Sequence, residues 1–198
     1  MKWEQDLVTD IRFHNKKDDI DDPRIWGYSY EFPIPEEFSQ KNRDVLKFLI
    51  DWFKPKTFVE IGVSRNKDKS STKVILDNLK DGIYLGIDIE DKSHLNSDRI
   101  HTIKCNSLNH KLVYDKMDEV GISSIDLLLI DGWHSINQVL SDWEYSSRLS
   151  KSGVVCFHDT TAHPGPKKFL NHLNADKWNV KVNMCEEDYG FGFCYRKA

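Results

Sequence analysis

The sequence predicts an α/β fold: a doubly wound, mostly parallel seven-stranded sheet with an antiparallel last strand. Three observations carry that expectation. Helix-period and strand-like segments alternate along the chain from residue 36 onward. Central strands read as unbroken apolar runs, as in "SIDLLLIDG" (124–132) and "GVVCFHD" (153–159), the mark of strands covered on both faces. The last two strand-like segments, "NVKVNM" (179–184) and "YGFGFCYRK" (189–197), are separated by too little chain for a parallel crossover, so a hairpin is expected.

The totals agree. A chain of 198 residues, 39% hydrophobic and 30% charged, suits one soluble domain with a sizeable core. No run approaches the roughly 18 apolar residues that span a bilayer, and the N-terminus lacks the apolar stretch of a signal peptide. A net charge of −4 and scattered basic residues argue against a nucleic-acid partner. Cys105, Cys156, Cys185 and Cys194 form no CxxC pair, and a cytoplasmic setting is expected.

Residues 1–35 carry Trp3, Phe13, Trp26, Tyr28, Tyr30 and Phe32 among acids and prolines. Two readings fit: an arm docking its aromatics on the domain, or a lid over a site. The domain proper is expected over 36–198. Within 36–53, Val45, Leu46, Leu49, Ile50 and Phe53 recur at helical spacing until Lys54-Pro55 ends the pattern. A strand, "TFVEIGV", a polar loop and a helix over 71–80 follow, with Ser71 or Thr72 as candidate N-cap. "GIYLGIDIE" and "RIHTIKC" are the second and third strands, and 110–120 a short helix. After the fourth strand a helix over 135–150 places Ile136, Val139, Leu140 and Trp143 on one side; "KKFLNHLN" (167–174) is the last helix.

Ligands of open α/β sheets bind beyond the carboxyl ends of the strands. Here those ends read Glu60-Ile-Gly62, Asp88-Ile-Glu90, Cys105-Asn106-Ser107, Asp131-Gly-Trp133-His134 and His158-Asp159-Thr160. Polar or acidic residues at all five are hard to explain by packing, because an isolated buried carboxylate is costly.

"FVEIGVS…SST" ahead of "YLGIDIE" resembles the opening of class I S-adenosylmethionine-dependent methyltransferases, which have a Rossmann-like fold. "IDLLLIDGWHS" followed by "LSKSGVVCFHDT" is similar, more narrowly, to the group with cephalosporin-hydroxylase-like and macrolide-sugar O-methyltransferases. The resemblance implies S-adenosylmethionine as methyl donor, with Glu60, Gly62 and Ser71 near its methionine end, Asp88 or else Glu90 on its ribose, Asn106 and Ser107 by its adenine, and Asp131 bordering it. It implies a divalent ion, Mg²⁺ or Mn²⁺, at Asp131, His158 and Asp159, and His134 as base or as a structural partner of Asp131. Asp131 and His134 are then the catalytic candidates, for methyl transfer to a hydroxyl of a small molecule or sugar, with a homo-oligomer left open.

Three further points bear on this. The loop "GVSRNKDKSST" lacks the second glycine of the family pattern, so a non-catalytic binding module stays a rival. His134, His158 and Asp159 could instead form the two-His, one-carboxylate site of a metal-dependent oxygenase or hydrolase. His163 and its Pro/Gly-rich turn read equally as site lining or connector, and Trp133 as a substrate contact or a sheet-edge cap.

Overall fold

The structure, a computed structural model, describes residues 42–64, 70–161, 163–182 and 189–197. The arm or lid expected of 1–35, the start of the first helix at 36 and Cys185 lie outside the described residues. Seven strands, β1 (Thr57–Ile61), β2 (Ile83–Asp88), β3 (Ile100–Lys104), β4 (Ile125–Ile130), β5 (Leu149–His158), β6 (Trp178–Lys181) and β7 (Phe191–Arg196), form one sheet in the order β3-β2-β1-β4-β5-β7-β6. Every pair is parallel except those of β7, which runs antiparallel to both β5 and β6. The expected fold class is the one observed.

The apolar run of β4 is explained by its position. Leu127 and Leu129 pack on one face, Leu128 and Ile130 on the other, all fully or almost fully buried. The first face is covered by α1 (Asn42–Phe53) through Val45, Leu46 and Leu49 and by α2 (Ser71–Asn78) through Ile75. The second is covered by α3 (His110–Glu119), α4 (Ile136–Asp142) and α5 (Pro164–His172), through Val113, Met117, Val139 and Phe169. Each such side chain contributes about 1.5–3 kcal/mol. Among the described residues no helix is long and apolar enough to cross a membrane.

Several local expectations are corrected. The cap of α2 is Ser70, whose hydroxyl accepts from Lys73 N at 3.1 Å, and not Ser71 or Thr72. The helix expected over 135–150 ends at Asp142 and tightens into a 3₁₀ turn over Trp143–Arg148. Trp143 and Tyr145 are both buried, and residues two apart cannot share one α-helical face. Ile136, expected inward, is 39% exposed. β5 begins at Leu149, ahead of the apolar run, because Leu149 pairs with Ile125 before the register shifts to Leu127 and Val154; Ser150 Oγ donating to Asp126 at 2.7 Å and Arg196 donating to Leu149 O at 2.8 Å hold the polar stretch between. Helix α5 starts at Pro164, three residues early, where proline's missing N–H costs nothing.

Candidate functional site

All the strand-end residues singled out above lie on one rim, the carboxyl edge of β1 to β5. The rim is stapled by its backbone. Gly62 N donates to Ile87 O at 2.9 Å, Asp131 N to Ile61 O at 2.8 Å, and Cys105 N to Asp88 O at 2.8 Å. Gly62 has φ +87, and a Cβ there would lie 2.1 Å from the carbonyl oxygen of Asp131. The β1 and β4 ends can therefore meet only across a residue without a side chain.

The cofactor candidates divide by burial. Glu60 is fully buried, accepting from Thr72 Oγ1 at 2.9 Å and Tyr84 Oη at 2.5 Å. Burial pushes its carboxyl up to about 8; hydrogen bonds from Tyr84, Thr72 and Ser71 oppose that rise, and the charge of Asp131 adds to it. A carboxyl raised from 4.5 binds its proton more tightly folded than unfolded, so its stabilisation is full below about 4.5 and is lost as pH rises through about 8. The urea midpoint is thus expected to fall between about pH 5 and pH 9, and Glu60→Gln should flatten that fall. A wild-type midpoint that is constant over the range would contradict the assignment.

Asp88 is half-buried, with one oxygen accepting from Val63 N at 2.9 Å and the other from Glu90 N at 2.7 Å. It thereby ties the β2 end to the loop after β1. Glu90 turns aside to Lys92 at 3.1 Å. Asn106 is exposed and accepts from Leu108 N at 2.9 Å. Ser107 is buried, held by Gln138 Nε2 at 2.8 Å, which also donates to the buried Asp142 at 3.0 Å. Burial pushes Asp142 up to about 6 against hydrogen bonds from Ser107 and Gln138. Ser71, the first residue of α2, lies beside Glu60.

At the β4 and β5 ends the charged groups converge. His158 Nδ1 lies 2.7 Å from Asp159 Oδ1 and 3.4 Å from Asp131 Oδ1. His134 Nε2 lies 3.3 Å from Asp159 Oδ2 and 3.6 Å from Asp131 Oδ1; it is buried and meets no hydrogen-bonding geometry with either. Burial raises the Asp159 carboxyl, but the His158 hydrogen bond and the imidazoles of His158, His134 and His163 outweigh it and hold it below the usual carboxylate value. Asp159 adopts φ +60, a conformation costing a non-glycine residue about 1–2 kcal/mol. The turn it opens, closed by His163 N to Asp159 O at 3.0 Å, brings His163 back to the site.

Donor atoms of Asp131, His158 and Asp159 all lie within 4.8 Å of one another, as do those of His134, Asp159 and His163. The second set is a poor chelate as placed. The His134 and His163 rings stack at 4.6 Å with 18° between planes, and an ion must lie in the plane of each ring that holds it. The carboxylates of Asp131 and Asp159 suit Mg²⁺ or Mn²⁺, which favour oxygen donors.

Two contributors carried little signal in the sequence. Asn42, on α1 and 4% exposed, places its Nδ2 2.8 Å from His158 Nε2. Gly165 lets the first turn of α5 touch the His134 backbone, where a Cβ would lie 2.2 Å from its carbonyl oxygen. His163 thus lines the site. Trp133, 76% exposed, caps no sheet edge.

No family model matches the sequence, and no curated protein does. Similar folds do occur among solved structures. The methyltransferase MycE of mycinamycin biosynthesis, solved with Mg, SAH and mycinamycin VI, superposes with a TM-score of 0.53 at 18% identity over 76% of this chain; the match spans 47% of MycE, about half its length. SAH-bound PaMTH1, a methyltransferase of Podospora anserina, gives 0.53 at 14% identity, over 79% of this chain and 78% of that one. SMU.1697c of Streptococcus mutans, in complex with SAH, gives 0.52 at 9% identity, over 79% and 98%. At such identities the likeness establishes the fold alone, one shared with these SAH-bound methyltransferases.

Proposed function

We propose that this protein is an S-adenosylmethionine-dependent methyltransferase acting on a hydroxyl oxygen of a small molecule, with a divalent ion at Asp131 and Asp159. One observation carries the reading: Asp131, His134 and Asp159 converge at the β4 and β5 ends, beside the β1–β3 ends where the expected donor contacts lie. Titratable groups gathered on the ligand-binding edge of an α/β sheet mark a reactive site, not a packing solution.

Asp88 accepts the ribose hydroxyls of the donor, Asn106 and Ser107 border its adenine, and Gly62 lets its methionine end pass close to the backbone. Asp131 and Asp159 hold the ion. Bound there, a divalent ion supplies positive charge that lowers the acceptor hydroxyl's pKa. His134, beside both carboxylates, takes the hydroxyl proton as the oxygen attacks the methyl carbon and the carbon–sulfur bond breaks. Positioning supplies most of the acceleration.

SAH at 100 times its Kd should stabilise the protein by about 2.7 kcal/mol, read as a rise in Tm. Asp88→Ala, which removes an ionised acceptor, is expected to weaken SAH about 10- to 100-fold and so shrink that rise at the same SAH concentration. If neither S-adenosylmethionine nor SAH shifts the Tm of the wild type, the methyltransferase reading is lost.

A further inference from the structure

We infer that His158 is a positioning residue for the ion-holding carboxylates and not itself a ligand; this rests on the proposed divalent-ion site. Nδ1 of His158 faces two anionic oxygens, Asp159 Oδ1 at 2.7 Å and Asp131 Oδ1 at 3.4 Å. A lone pair aimed at two carboxylates is repelled, so that nitrogen carries the proton and donates it. The opposite nitrogen, Nε2, lies 2.8 Å from Asn42 Nδ2. A side-chain amide nitrogen only donates, so Nε2 accepts and its lone pair is in use. Both ring nitrogens are therefore committed within the protein. His158 draws the carboxylates of β4 and β5 together, and Asn42 fixes which tautomer does so. It is the arrangement in which an outer residue sets the orientation of first ligands.

The ion then meets oxygen donors from Asp131 and Asp159 and water, the set that favours Mg²⁺ over Zn²⁺.

Nitrogen-15 NMR of the histidine side chains in the full-length protein tests this, without metal and with Mg²⁺ added. His158 is expected to show the neutral Nδ1–H tautomer in both states, while Mg²⁺ shifts the side-chain carboxyl carbons of Asp131 and Asp159. Asn42→Leu should raise the Nε2–H population of His158 and weaken Mg²⁺ about 10-fold or more. Loss of the Nδ1 proton on adding Mg²⁺, or the Nε2–H tautomer in the metal-free wild type, overturns the inference alone. Carboxyl carbons indifferent to Mg²⁺ overturn the ion site as well, so the two failures are told apart.

Discussion

The Gly62→Ala variant should lose about 3–5 kcal/mol of stability and, at temperatures where it still folds, all measurable SAH binding. Two costs combine. Alanine at φ +87 sits in the left-handed region, and its Cβ would press into the Asp131 peptide, whose carbonyl oxygen is 2.1 Å away and carbon 2.6 Å away. Neither partner is the free end of a flexible side chain, so the β1 and β4 ends must separate. Gly121 offers the control. Its φ is +84, but nothing lies within 4 Å of an added Cβ. Gly121→Ala should therefore cost only the conformational part, about 1–2 kcal/mol. Urea denaturation of the two variants separates the terms; equal losses would show that the close approach at Gly62 is relieved cheaply.

Asp131→Asn should weaken Mn²⁺ or Mg²⁺ binding about 100-fold or more, because it removes a charged ligand and not merely an outer partner. The fold should persist, since the hydrogen bond joining Asp131 to Ile61 uses its backbone nitrogen. Without metal the variant should be at least as stable as the wild type, for it relieves the crowding of acids that a catalytic site accepts at the expense of stability. Titration calorimetry with Mn²⁺ decides the first point and thermal unfolding the second. Unchanged Mn²⁺ affinity would remove the ion from the proposed chemistry.

What the sequence disclosed and what it concealed follow the range of the forces involved. β4 was legible because burial on both faces demands an apolar residue at every position, a demand that neighbouring residues satisfy together. The rim acids were legible because polarity ends the apolar run at the point where the strand meets solvent. Asn42 was not: it lies 116 residues from His158, and only the docking of α1 on the sheet brings them together. Gly165 was ambiguous for the same reason, since its function is to clear space for His134 on another loop. The opening of β5 was hidden because Leu149 pairs with Ile125 across a register shift, and the polar residues that follow are held by side-chain hydrogen bonds to Asp126 and from Arg196, not by an apolar run. Ile136 misled because helical spacing identifies a face without saying how far toward the helix end that face stays covered.

The placement of β7 bears on how the protein is made. It is the last of the seven strands in sequence order yet lies between β5 and β6, bonded to both. As the polypeptide emerges from the ribosome, β1 to β5 can pair in turn, but the outer edge of β5 stays open until Phe191–Arg196 arrive. An uncovered strand edge invites pairing with another nascent chain. The turn that carries Asp159 is finished only then too, because Thr160 N and Thr161 N bond to the carbonyls of Gly190 and Tyr189. The arrival of β7 therefore closes this edge of β5 and completes the Asp159 turn in one event, and a nascent chain halted before β7 would be prone to aggregate.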